Sequence, residues 1–143
     1  MRSFQVCLPI LALSFSSFAS AGVMELQVSG IDGVEGALWV ALMETPDAFT
    51  SGEPDVSRVI PISKLPERVF IESVKPGATY ALCVFHDVDG NGKLDKGVFG
   101  NPLEPYAFSN NARSRFSMPD FREAAFVIPE DPDERAIQIV ELK

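Results

Sequence analysis

Cysteine is nearly absent. Two are encoded in 143 residues, Cys7 and Cys83. Cys7 falls in an N-terminal apolar stretch that reads as a cleavable leader, so the mature chain carries Cys83 alone and an intramolecular disulfide is excluded. Histidine is scarcer still, with His86 the only one. That excludes multi-histidine metal motifs, and no G-x-S-x-G elbow is present for a serine nucleophile. Tryptophan occurs once, at Trp39, and the 12 Lys and Arg residues are scattered. A nucleic-acid interface needs a basic patch, so that class falls away. After the leader, no apolar run is long enough to cross a bilayer of roughly 30 Å, so no transmembrane segment is expected.

The N-terminus has the three parts of a signal peptide. Arg2 gives a short positive region, Leu8 to Phe15 an apolar one, and Ala19-Ser20-Ala21 a small-residue cleavage site. The sequence therefore predicts a signal peptide over residues 1–21 and a mature β domain over 22–143, exported to the periplasm or secreted. The formal charge is −8, and loss of Arg2 makes the mature chain more acidic by one. Such a surface repels nucleic acid and anionic lipid and attracts cations.

The remaining composition is β-like, with 11 Phe, 11 Pro and 10 Gly and short periodic runs between turn signals. Met24 to Val28 alternates apolar and polar, as a half-buried strand does. Ala37 to Met43 is more continuously apolar and reads as central. Glu44 to Pro54 is a loop with one helical turn near Asp47-Ala48-Phe49. Val56–Ile62 and Arg68–Val74 are further strands, and Pro76-Gly77 is a tight turn. Thr79 to His86 is apolar on both faces, which predicts a central strand covered on both sides. Closing strands lie near Glu123–Ile128 and Arg135–Leu142, the latter with Ile137 and Ile139 on one face. The expected fold is all-β: a single antiparallel β-sandwich, immunoglobulin-like or transthyretin-like, of about seven strands. Residues 87–122 form one long irregular loop, and loops of that length are usually functional or tied down.

The sharpest motif opens that loop: Asp87-Val88-Asp89-Gly90-Asn91-Gly92-Lys93-Leu94-Asp95. It matches the start of a calcium loop. Ca²⁺ takes about six to eight hard oxygens at about 2.3–2.6 Å, and side chains at alternate positions of a curled loop converge on one point. The predicted ligands are Asp87, Asp89, Asn91, the Lys93 carbonyl, Asp95 and Glu104 from downstream. Val98 stands where an EF-hand has its bidentate Glu, and a strand enters instead of a helix, so an EF-hand proper is excluded. The competing reading is an Asx-rich turn whose side chains bond their own backbone amides.

Other residues invite chemistry. His86 beside Asp87, with Glu104 and Arg113, would serve an envelope hydrolase. Neighbouring strand residues point to opposite faces, however, and a structural His86 is favoured; no catalytic residue is assigned. Cys83 and Trp39 both read as core. The segment Pro102 to Arg113 reads as a lid, with Tyr106, Phe108 and Asn110 as the alternative: a carbohydrate- or peptide-binding loop whose partner would be an envelope protein or glycan.

The run Tyr80 to Asp87, then Gly90-Asn91-Gly92-Lys93-Leu94-Asp95, Phe99-Gly100-Asn101-Pro102, Glu104, Tyr106, Phe108 to Ala112, Pro119, Phe121 and Ala124-Ala125-Phe126 resembles the bacterial family known as domain of unknown function 2141. The resemblance covers nearly all of the mature chain. It implies an exported β-sandwich and assigns no activity. A weaker likeness links the strand and its acidic loop to the calcium-bearing B-type repeats of Gram-positive surface proteins. That analogy is one of fold, and fold does not imply function. The leading expectation is a non-enzymatic module whose loop holds Ca²⁺ and orders the long segment after it.

Overall fold

The computed structural model describes residues 21–115 and 118–143, so the expected signal peptide lies outside the described residues except for Ala21. In chain order the elements are β1 (Gly22–Ser29), β2 (Ala37–Met43), α1 (Pro46–Ser51), β3 (Val56–Pro61), β4 (Val69–Val74), β5 (Thr79–Asp87), β6 (Tyr106–Phe108), α2 (Phe121–Ala124), β7 (Ala125–Val127) and β8 (Ala136–Glu141). They form an all-β sandwich of two sheets. One has the order β4-β1-β8; the other has the order β3-β2-β5-β6, with β7 also pairing β5. None of the described helices is long and apolar enough to cross a membrane.

The apolar pattern explains the layers. Met24 and Leu26 of β1, Leu38, Val40 and Leu42 of β2, Val69 and Ile71 of β4, and Tyr80, Leu82 and Val84 of β5 meet between the sheets. A smaller cluster lies on the outer face of the five-stranded sheet, where Met43, Phe49, Ala81, Phe108 and Ala124 pack together. The two-faced apolar pattern of β5 thus has its expected cause: it is central and covered on both sides. α1 supplies Phe49, and its ends are set by sequence. The Thr45 hydroxyl accepts from the Ala48 amide, Pro46 opens the helix, and Gly52 closes it in the left-handed conformation.

Three features depart from simple alternation. Ser73 has φ 69° and interrupts the pairing of β4 with β1 as a bulge, which turns Val74 into the core. β6 is an eighth strand inside the segment expected to be irregular. Finally, β1 and β8 run parallel, whereas every other pairing is antiparallel. The chain leaves the five-stranded sheet at β7 and crosses to the other sheet, entering beside β1 in the same direction. Ala136, Gln138 and Val140 then face inward, and the Ile137–Ile139 face turns to solvent.

Candidate functional site

The acidic loop leaves the end of β5 and curls under Asp87. Asp87 Oδ1 accepts from the amides of Gly90 (2.8 Å) and Asn91 (3.1 Å), and its Oδ2 accepts from Gly92 N (2.8 Å) and Trp39 Nε1 (3.0 Å). Burial pushes this carboxyl up, but those donors outweigh it and hold Asp87 below the usual carboxylate range. Gly92 has φ +77°, and its Cα faces the Trp39 ring so closely that a Cβ would sit 3.4 Å from Cζ2. Glu104 closes the loop from the far side. Its carboxylate accepts from Val88 N at 2.9 Å and Asp95 N at 3.2 Å.

Of the six predicted ligands, the structure brings three acids together. One carboxylate oxygen from each of Asp87, Asp89 and Glu104 lies within 4.8 Å of the others, and Asp87 and Glu104 are buried. Asn91 and Asp95 are instead bonded to each other. The Asn91 side chain donates to Asp89 (3.1 Å) and Asp95 (3.0 Å), and its oxygen accepts from Lys93 N at 2.8 Å. The Asx-turn reading is therefore realised in the hydrogen bonds, while the three-acid convergence keeps a cation compatible with the same loop.

Of the residues of the hydrolase alternative, Asp87 and Glu104 converge in the acidic loop, whereas His86 and Arg113 are bonded to main-chain carbonyls. His86 is buried, and its Nε2–H donates to the Glu35 carbonyl at 2.8 Å. Among the described residues its Nδ1 has no partner. Arg113 reaches the Glu141 carbonyl on β8 at 3.0 Å. Asn110 is bonded within the protein. Its amide nitrogen donates to the Ala125 and Glu123 carbonyls, and its oxygen accepts from Gln138.

A groove lies on the outer face of the five-stranded sheet; Tyr106 and Phe108 of the alternative binding loop line it, while its other walls were not foreseen from sequence. Cross-strand register builds it. Val59, Trp39, Phe85 and Tyr106 stand in one row across β3, β2, β5 and β6, and Ser57, Ala41, Cys83 and Phe108 form the next. Residues opposite one another share a face, so three small side chains lie beside an aromatic ridge and leave a trough. Trp39 and Phe85 stack at 5.9 Å with their planes 8° apart. The loop from Gly92 to Pro102 and the turn after α1 wall the trough, which encloses about 660 Å³. Small-molecule sites typically run about 300–1,000 Å³. Trp39 and Cys83, both read as core, lie half-buried on this outer face: Cys83 packs against the smaller cluster of Phe49, Ala81 and Phe108, whereas Trp39 stacks on Phe85 at the groove. Burial pushes the Cys83 thiol up to about 12 despite the Lys96 ammonium, so it stays protonated and unreactive at neutral pH.

Fold and site together define a β-sandwich protein that staples an acidic loop beside a surface groove. The chain belongs to the family described as an uncharacterized protein conserved in bacteria, domain of unknown function 2141, whose model matches residues 26–136. No curated protein and no solved structure matches the chain.

Proposed function

We propose that the chain is an exported, non-enzymatic binding protein whose binding surface is the groove on the outer face of the five-stranded sheet. The observation that carries this reading is the lining. Outward-facing sheet positions are ordinarily polar, yet here Trp39, Phe85 and Tyr106 form a ridge beside a concave trough. The leader-like N-terminus supports export, and the Cys83 thiol in the trough is held protonated by burial, which favours binding over nucleophilic chemistry there. The test is a neutral fluorescent probe, N-phenyl-1-naphthylamine, with Ala41→Phe as the variant that fills the trough from outside the intersheet core. Saturable one-to-one binding that is lost in Ala41→Phe is the expected result. Binding unchanged in that variant, or no binding at all, counts against the groove.

A second reading concerns the loop that walls the groove. Three carboxylates that converge within 4.8 Å repel one another, and Ca²⁺ would replace that repulsion with attraction. Its role would be structural, stabilising the folded form by mass action. The hydrogen bonds single out the informative variant. Asp87→Ala also removes four N–H partners, so it should lower the melting temperature with or without metal. Asp89 is exposed and accepts from Asn91 alone among the described residues, so Asp89→Ala should lower it clearly in about 1 mM Ca²⁺, the weak end of extracellular sites, and much less in chelator. If the unaltered protein melts at one temperature in calcium and in chelator, the ion plays no part.

A further inference from the structure

The groove's charge is at odds with the molecule's. The chain carries 20 acidic and 12 basic residues, yet the groove is lined by Lys93, Lys96 and Arg115 and by no carboxylate. Among the described residues, none of the three cations is ion-paired. Asp87 reaches the Trp39 indole from outside the concavity and Asp95 lies two residues from Lys93, but the charged residues on the lining that an occupant would touch are all cations. Such a site favours an anion and shuns a cation. The floor favours something else, namely apolar bulk: the stacked Trp39–Phe85 pair, Phe108, and the small trough at Ala41 and Cys83. At the mouth Phe99 also lines the groove and is 97% exposed, where an occupant would cover it.

From these two demands together we infer that the groove takes a small amphipathic anion, with its alkyl or aryl body against Trp39 and Phe85 and its acid group toward Lys93, Lys96 and Arg115. This rests on the groove being the binding surface. The occupant is a single soluble molecule and not a bilayer, because a net charge of −8 repels an anionic membrane surface. The volume of about 660 Å³ suits one such molecule. Lys93 can serve here independently of any ion in the loop, since only its carbonyl was a predicted calcium ligand.

The protein supplies its own reporter, because its one tryptophan stands on the groove floor. Purified protein is titrated with decanoate and with 1-decanol, which share an apolar body and differ in the head group, and Trp39 emission is followed. Decanoate should perturb it saturably and bind at least about tenfold tighter than the alcohol, the scale of one charge-assisted contact. The Lys93→Ala/Lys96→Ala double variant, altered only at exposed positions, should reduce that preference to what Arg115 alone supplies and leave 1-decanol binding as it was. Equal binding of acid and alcohol, insensitive to the lysines, overturns the ligand class and leaves the groove standing. No response of Trp39 to either probe, with no heat on mixing, overturns both. Co-sedimentation with phosphatidylglycerol vesicles at the same salt would show a membrane surface as the partner instead, and would equally overturn the inference.

Discussion

Asp87 illustrates how much one residue can organise. As the last residue of β5, it anchors the turn amides with one oxygen and joins Gly92 and the Trp39 indole with the other. The loop and the groove floor therefore share a hydrogen-bonded joint. Because the folded state holds this carboxyl below its usual 3.8, the folded protein binds fewer protons than the unfolded chain in that range. The stability Asp87 contributes is complete above about pH 4 and is lost as pH falls through the lower folded value. Urea denaturation between pH 2 and 6 should show this acid limb, and Asp87→Asn should flatten it. An unaltered limb in Asp87→Asn would mean that other carboxylates cause it.

At the scale of elements, the run Ser109-Asn110-Asn111 is a fastener. The buried Ser109 hydroxyl donates to the Ala124 carbonyl at the end of α2 and accepts from Leu82 N of β5 at 2.9 Å. Asn110 and Asn111 both have positive φ, a conformation Asn tolerates better than most residues. Asn111 pairs with the outer edge of β8, donating to the Ile139 carbonyl at 2.9 Å and accepting from Glu141 N at 3.0 Å. Its amide stands in for a neighbouring strand and covers an edge that would otherwise recruit one. Ser109→Ala leaves the Leu82 amide buried without its acceptor, so it should cost about 1–3 kcal/mol, read as a lower urea midpoint at constant slope. A midpoint that does not move would show that Ser109 joins nothing of consequence.

For the whole molecule, the sandwich was legible wherever period and turn chemistry agreed. The alternation of β1, the central character of β2 and β5, and the turn at α1 follow from residues that can be pointed to. What lay beyond the sequence was the choice between two apolar faces. β2 and β5 offer Leu38-Val40-Leu42 and Leu82-Val84 on one side and Trp39-Ala41-Met43 and Cys83-Phe85 on the other. Periodicity cannot say which side meets the second sheet, so reading Trp39 and Cys83 as core left their layer open. β6 has only three residues, too short to show a period. The Asp loop was visible as a motif, but the saturation of Asp87 by N–H donors depends on Trp39, forty-eight positions away. The groove itself exists only through register, which matches Ala41 with Cys83 and Trp39 with Phe85.

The parallel pairing of β1 with β8 has a consequence for the order of events. β1 is the middle strand of its sheet, and one of its two edges is covered only by β8, far along the chain. Until β8 arrives, β1 and β4 form a two-stranded ribbon, which is marginal in water. Closure then requires a contact between the two ends of the domain, the kind of long-range pairing that slows folding. Before β8 pairs with β1, the three-stranded sheet therefore stays open along that edge.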